Sequence, residues 1–325
     1  MTYTNFVKTF LKLTNWTVPF GTEKWYVDHI LEPILGFKLK FDGMNYYHTI
    51  GDSKTMFCCH LDTASSTIKK VKHGFMDNII FANGDTILGA DDKAGLMVIL
   101  MLIEAKIPGR YYFFSGEECG RVGSTYAKTN YRDVFEKFDR AIAWDRRDKA
   151  SVITHQMMER CCSKQFTEAL CDKFKAHGLW FDGDSNGIYT DTATFMGVIP
   201  ECTNLSIGYH GEHTPNEYID ILYAYHVGKA SVKIDWDMLP VFEFEPETSY
   251  WGSSWGCSGN TGSRREDDYR QTRYFSRKKD APKPQRSSVF DTERYSGKRI
   301  FDFLKPNARR EIELQPIYDD APTYP

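Results

Sequence analysis

No uninterrupted apolar run in this chain approaches the roughly 20 residues that a membrane-spanning helix needs. No Cys-x-x-Cys pair occurs, and the eight cysteines include two adjacent pairs, Cys58-Cys59 and Cys161-Cys162. That spacing does not suit a disulfide framework, so reduced thiols in a cytoplasm are the expectation. An excess of one charge sign is also missing. With 41 Lys and Arg against 44 Asp and Glu, the net charge of −3 is too close to zero to argue for a nucleic-acid or membrane partner. Near the N-terminus, Phe6 to Leu13 has the pattern of a short amphipathic helix, and its lysines interrupt it too often for a signal peptide. There is no internal repeat.

The 325 residues are ample for a sizeable core, as one large domain or two small ones. A hydrophobic fraction of 41% and a charged fraction of 26% are ordinary for a soluble protein. Two regimes divide the chain. Residues 1–244 form the expected folded domain, in which apolar runs alternate with Gly and Asp turns. Residues 245–325 are of lower complexity, with Tyr250-Trp251-Gly252 and Trp255-Gly256, then clusters such as Arg277-Lys278-Lys279 and scattered prolines. From Ser263 to Arg299 there are twelve Lys or Arg against six Asp or Glu. That composition predicts an irregular, disordered tail, with Arg299 to Leu304 as a short element that docks. Cations interleaved with rings, as at Arg273-Tyr274-Phe275, are the one feature that fits a single-stranded nucleic acid. A solvated tail explains them more simply.

Four apolar runs in the first regime read as buried strands: Met56–Cys59, Tyr111–Phe114, Ala141–Trp144 and Leu205–Gly208. Near-continuous apolar runs suit a sheet covered on both faces. Lys38–Gly43 and Ile79–Asp85 carry the turn signals of hairpins. Leu96–Ile103 is apolar at all eight positions, which predicts a helix buried all round. Phe166–Phe174 and Glu217 to about Ile234 have helical periodicity. Strands alternating with helices make this an α/β layered domain.

Each strand candidate runs into residues of metal-ligand type. Cys59 leads into His60-Leu61-Asp62, Phe114 into Glu117-Glu118, Trp144 into Asp145, and Gly208 toward His210 and His213. In open α/β sheets, ligands bind beyond the carboxyl ends of the strands. Four runs therefore deliver His, Asp or Glu to one expected edge. Taken singly, each has a plainer explanation. Asp62 can orient His60 or stand there by chance. Asp91 and Asp92 sit where a helix begins, so capping and the helix dipole account for either one; alternatively one carboxylate leans away and bridges two metals. Glu117 and Glu118 are adjacent acids of the kind usually solvated. Following Phe113-Phe114-Ser115, at least one should be partly buried, which suits one ligand and one base. Asp145 in Trp144-Asp145-Arg146-Arg147 could simply pair with an arginine. Composition does not choose between His210 and His213.

Taken together, His60-Leu61-Asp62-Thr63, Gly89-Ala90-Asp91-Asp92-Lys93-Ala94-Gly95, Glu117-Glu118 and His213-Thr214-Pro215-Asn216-Glu217 resemble the co-catalytic dizinc exopeptidases. This clan includes secreted bacterial aminopeptidases, peptidase T-type tripeptidases and acyl-amino-acid deacylases. The resemblance covers roughly residues 50 to 225. It implies a three-layer α/β domain, with a central mixed, mostly parallel sheet covered by helices, and an activity on peptide substrates. It also implies that His60 and Asp145 hold one zinc, Glu118 and His213 the other, and Asp91 both. Asp62 would orient His60, and Glu117 would be the general base. His213 is preferred to His210 because it carries the Thr-Pro-Asn-Glu that follows the clan's last ligand. Cobalt or manganese could replace zinc. Cys119, beside Glu118, is expected to pack in the core.

Only 67 residues lie between Asp145 and His213, too few for the lid or dimerisation domain that peptidase T-like and deacylase members carry there. This spacing is similar to that of the single-domain aminopeptidase branch, as is Thr190-Asp191-Thr192-Ala193-Thr194. Gly-Ala-Asp-Asp-Lys-Ala-Gly is similar to the tripeptidase branch. An aminopeptidase is the leading expectation. The alternatives are a deacylase or dipeptidase, more remotely a glutaminyl cyclase-like transferase, and a binding protein that has lost catalysis.

Overall fold

The computed structural model describes residues 1–242. Everything expected of the tail from 245 onward, including the element at Arg299 and the nucleic-acid idea, lies outside the described residues.

The chain opens with α1 (Tyr3–Leu13), α2 (Glu23–Tyr26), a π-helical turn over Val27–Leu31, and α3 (Glu32–Leu35). Helix α1 forms as its pattern requires. Thr2 caps it by accepting from the Asn5 amide, and Phe6, Phe10 and Leu13 form one buried face. Five strands follow: β1 (Lys40–Phe41), β2 (Tyr46–Ile50), β3 (Thr55–His60), β4 (His73–Met76) and β5 (Ile79–Ala82). Next come α4 (Ala90–Glu104), β6 (Gly109–Phe114), α5 (Val122–Asn130), α6 (Arg132–Phe135) and β7 (Arg140–Arg146). The remainder is β8 (Ser151–Ile153), β9 (His155–Gln156), β10 (Glu159–Arg160), α7 (Lys164–Lys175), β11 (Asp182–Asp184) and α8 (Asp191–Thr194), then β12 (Glu201–Ser206), β13 (Tyr209–His210), β14 (Tyr218–Asp220) and α9 (Ile221–Ser231).

Eight strands form one mixed sheet in the order β1-β2-β6-β3-β7-β12-β8-β11. Its centre, β6-β3-β7-β12, is wholly parallel. The four runs singled out in the sequence are these four strands. β3 and β12 are buried at every position, as covering on both faces requires. Strand alternation sends neighbouring aromatics to opposite faces. Phe57 packs with Tyr111, Trp144 and Trp236, while Tyr112 and Phe114 pack toward Phe135 and Phe195. Helix α4 is buried from Ala90 to Ile103, as its eight-residue apolar run predicts, and packs against β3, β7, α1 and α9.

A second sheet, β13-β14-β5-β4, stands beside the first. It departs from the sequence reading at two points. The hairpin of Ile79–Ala82 turns at Asp77-Asn78, where Asp77 has a φ of 52°, and not at Asn83-Gly84-Asp85. Tyr218–Asp220 is strand rather than helix, because it pairs with β5, and α9 starts only where Asp220 caps it. The fourth central strand ends at Ser206, earlier than the Leu205–Gly208 run suggests. Among the described residues no helix is long and apolar enough to cross a membrane.

Candidate metal centre

Because β6, β3, β7 and β12 run parallel and adjacent, their carboxyl ends share one edge. His60 is the last residue of β3, and Asp145 is the last but one of β7. Glu117 and Glu118 follow β6, and His213 follows β13 in the loop before β14. Asp91 arrives from the smaller sheet through the entry of α4.

The two aspartates at that entry divide their work. Asp91 and Asp92 both have non-helical backbone angles, so regular helix begins after them. Asp92 Oδ1 accepts from the Gly95 amide at 3.0 Å, which makes Asp92 the cap of α4. Asp91 leans away. Its Oδ1 lies 3.0 Å from His60 Nε2, and its Oδ2 lies 3.2 Å from His213 Nε2. His60 Nε2 is also 3.8 Å from Asp145 Oδ1, and His213 Nε2 is 3.0 Å from Glu118 Oε1. One carboxylate thus faces two clusters, each completed by one imidazole and one further carboxylate. His60, Asp91, Asp145 and Glu118 are almost wholly shielded, whereas His213 is half-exposed.

The donor set fits a pair of divalent cations. Glu118 Oε1 is buried and accepts no hydrogen bond, despite the nearby imidazole. Burial, then the charges of Asp91 and Asp92, push the Asp145 carboxyl far above its usual range. Crowded acids of this kind call for positive charge. Nitrogen and oxygen donors without thiolate suit zinc, cobalt or manganese. His60, Asp91 and Glu118 bring ligand atoms within 4.8 Å of one another, and so do His60, Asp92 and Asp145. The second grouping would recruit Asp92, whose Oδ2 is buried without a partner. Of the two aspartates, only Asp91 has two oxygens that each meet a different histidine.

Two further carboxylates hold these groups in place. Asp62 Oδ1 and Oδ2 accept from the Glu117 and Glu118 amides, each at 3.1 Å. Its backbone carbonyl meets His60 Nδ1 at 3.1 Å, and its Oδ1 is 3.5 Å from the same nitrogen. Asp62 therefore fixes both the imidazole and the Glu117-Glu118 loop. Burial opposes its charge, but the contact with His60 holds its carboxyl below the usual value.

Glu217 is the residue that sequence reasoning passed over. Its Oε2 accepts from the Gly89 amide at 2.8 Å and its Oε1 from the Asp91 amide at 3.0 Å, so it holds the turn that aims Asp91. Burial pushes its carboxyl up to about 7. The signal was present in His213-Thr214-Pro215-Asn216-Glu217, but only the β14–β5 pairing shows what the glutamate reaches.

Glu117 lines the cleft with Asp91, Asp145 and His213. Burial raises its carboxyl to about 8, with Asp191, Asp91 and Glu118 adding repulsion and His60 opposing. A carboxyl tuned this way is suited to taking and returning protons near neutral pH. His210 stands apart: it pairs with Asp148 at 2.9 Å and stacks on Tyr218. Cys119 corrects an expectation. It is exposed, because the chain leaves the sheet after Phe114 and turns from Glu117 to Gly120.

No family model matches the chain, and no curated protein matches it. Solved structures do. The chain shares its fold with peptidases of known structure. Aminopeptidase PepT from Bacillus cereus superposes with a TM-score of 0.61 at 16% identity, over 71% of this chain and 97% of that one. A tripeptidase from Staphylococcus aureus gives 0.60 at 17% identity, over 72% and 97%. An aminopeptidase from the archaeon Desulfurococcus kamchatkensis gives 0.52 at 13% identity, over 71% and 94%. At such identities the likeness is one of fold, and the case for activity rests on the site.

Proposed function

We propose that this protein is a two-metal peptidase of the aminopeptidase type. The observation that carries this reading is Asp91, with one oxygen turned to His60 and the other to His213. His60 and Asp145 would hold one zinc, Glu118 and His213 the other, and Asp91 both. When bound, the metals would lower the pKa of a water and polarise the scissile carbonyl.

The chain's own residues supply the rest. Glu117 takes a proton from the attacking water and returns it to the leaving amine. Asp62 holds Glu117 through its amide and keeps His60 in register. The parallel strand ends and the buried α4 keep these groups rigid before substrate arrives, which removes reorganisation from the chemical step. The solved peptidases of like fold support the same reading. So far as compartment goes, the seven cysteines of the described residues are free and five of them are buried, which supports a reducing cytoplasm.

The test is hydrolysis of short peptides by the full-length chain, with zinc added and then removed by chelator. The expected result is chelator-sensitive cleavage that Glu117→Gln lowers by about 10²- to 10⁴-fold while metal stays bound. Cleavage of amino-acetylated peptides alone would move the reading to a deacylase. Bound metal without turnover of any peptide would leave a binding protein.

A further inference from the structure

The cleft at the candidate metal centre is also lined by groups that no step above uses, among them Glu212, Ile188 and Tyr189. Glu212 precedes His213. Its Oε1 accepts from Arg147 Nη1 at 3.0 Å, but its Oε2 is buried without any hydrogen-bond partner. A shielded carboxylate oxygen without a donor from the protein carries a desolvation cost that a hydrogen-bond donor entering the cleft would relieve.

The loop that carries Glu212 is built to hold it. The β13–β14 pair closes the loop through Tyr209↔Ile219 and His210↔Tyr218. Inside it, the Thr214 hydroxyl donates to the Gly211 carbonyl at 2.7 Å. Gly211, with a φ of 67°, lies so near Asn216 that a Cβ would stand 3.0 Å from that carbonyl oxygen. Ile188 and Tyr189 are 63% and 46% exposed, and Arg121 sits 4.3 Å over the Tyr189 ring. The cleft therefore offers an acceptor in need of a donor, beside His213, and an apolar wall.

We propose that Glu212 anchors the substrate's free α-ammonium while Ile188 and Tyr189 receive its first side chain. The substrate class is then peptides with an unblocked, apolar N-terminal residue. This rests on the peptidase reading and makes it more specific. Ammonium is the fitting donor because Arg147 occupies one carboxylate oxygen and leaves the other to a small cation carrying several N–H groups.

The test uses the zinc-loaded full chain, wild type and Glu212→Gln, which removes the charge at constant shape. Turnover is measured on leucine p-nitroanilide and on its analogue lacking the amine. Binding of leucinol and of N-acetyl-leucinol is measured by calorimetry. The expected result is that Glu212→Gln raises KM for the leucyl substrate by about 10- to 100-fold, the size of one hydrogen bond to a charged group. Turnover of the amine-free analogue should change little, and leucinol should weaken by the same factor. Glu212→Asp should recover part of the loss. Equal losses on both substrates, or unchanged leucinol binding, would overturn the anchor and leave the peptidase reading intact. Glu212-dependent leucinol binding without turnover of any peptide would keep the anchor and defeat the peptidase reading.

Discussion

Replacing Glu217 with glutamine should loosen Asp91 without touching any ligand. The glutamate is buried and takes amides from Gly89 and Asp91 on its two oxygens. Glutamine keeps the volume but turns one acceptor into an NH2 group facing an N–H. A hydrogen bond to a charged group is worth about 1.5–3 kcal/mol. Losing one and opposing donor to donor should therefore cost about 2–4 kcal/mol of stability. Groups that orient metal ligands typically matter about 10- to 100-fold in metal affinity. Zinc affinity should thus fall by that factor, read by competition with a chromogenic chelator under conditions where circular dichroism shows the variant folded. An affinity within about threefold of wild type, together with the expected loss of stability, would refute the argument that Glu217 aims Asp91.

Two further perturbations test the frame around the site. Gly95→Ala would place a Cβ 2.3 Å from Asp92 Oδ1 and displace the cap of α4; denaturant unfolding should show a loss of about 1–3 kcal/mol, and a neutral result would contradict the cap. His73 is held neutral by burial, with its imidazole pushed down to about 4 against an ordinary 6.5, and it meets the Thr14 hydroxyl at 2.8 Å. Unfolded chains therefore take up a proton that folded ones refuse. The contribution of His73 is complete above about pH 6.5 and is lost on the way down to about 4, on the order of 2–3 kcal/mol. His73→Gln should flatten the slope of stability against pH in that window, and an unchanged slope would assign the acid sensitivity to other groups.

The central sheet was legible because burial on both faces writes itself as apolar runs, and each run ended where the sheet's edge must lie. The division between Asp91 and Asp92 was not legible. Both suit a helix start, and only the Asp92 contact with the Gly95 amide shows which one caps and which one is free. Likewise Glu217 reads as the start of a helical stretch, although its partners sit more than 120 residues away. Local pattern misplaced the hairpin turn at Asn83-Gly84, since Asp77 adopts a left-handed conformation that its residue type merely permits. Tyr218–Asp220 became strand because pairing with β5 overrode helical periodicity. Cys119 follows its chemistry less than its position: a small apolar residue is exposed there because the loop that presents Glu117 and Glu118 has already left the sheet.

The most direct test is to count the metals. After dialysis against buffered free zinc, elemental analysis of the full chain should find two zinc ions per molecule, and Asp91→Asn should lose both or hold at most one. One ion or none in the wild type, or two ions held with unchanged affinity by Asp91→Asn, would contradict the bridged pair on which the account rests.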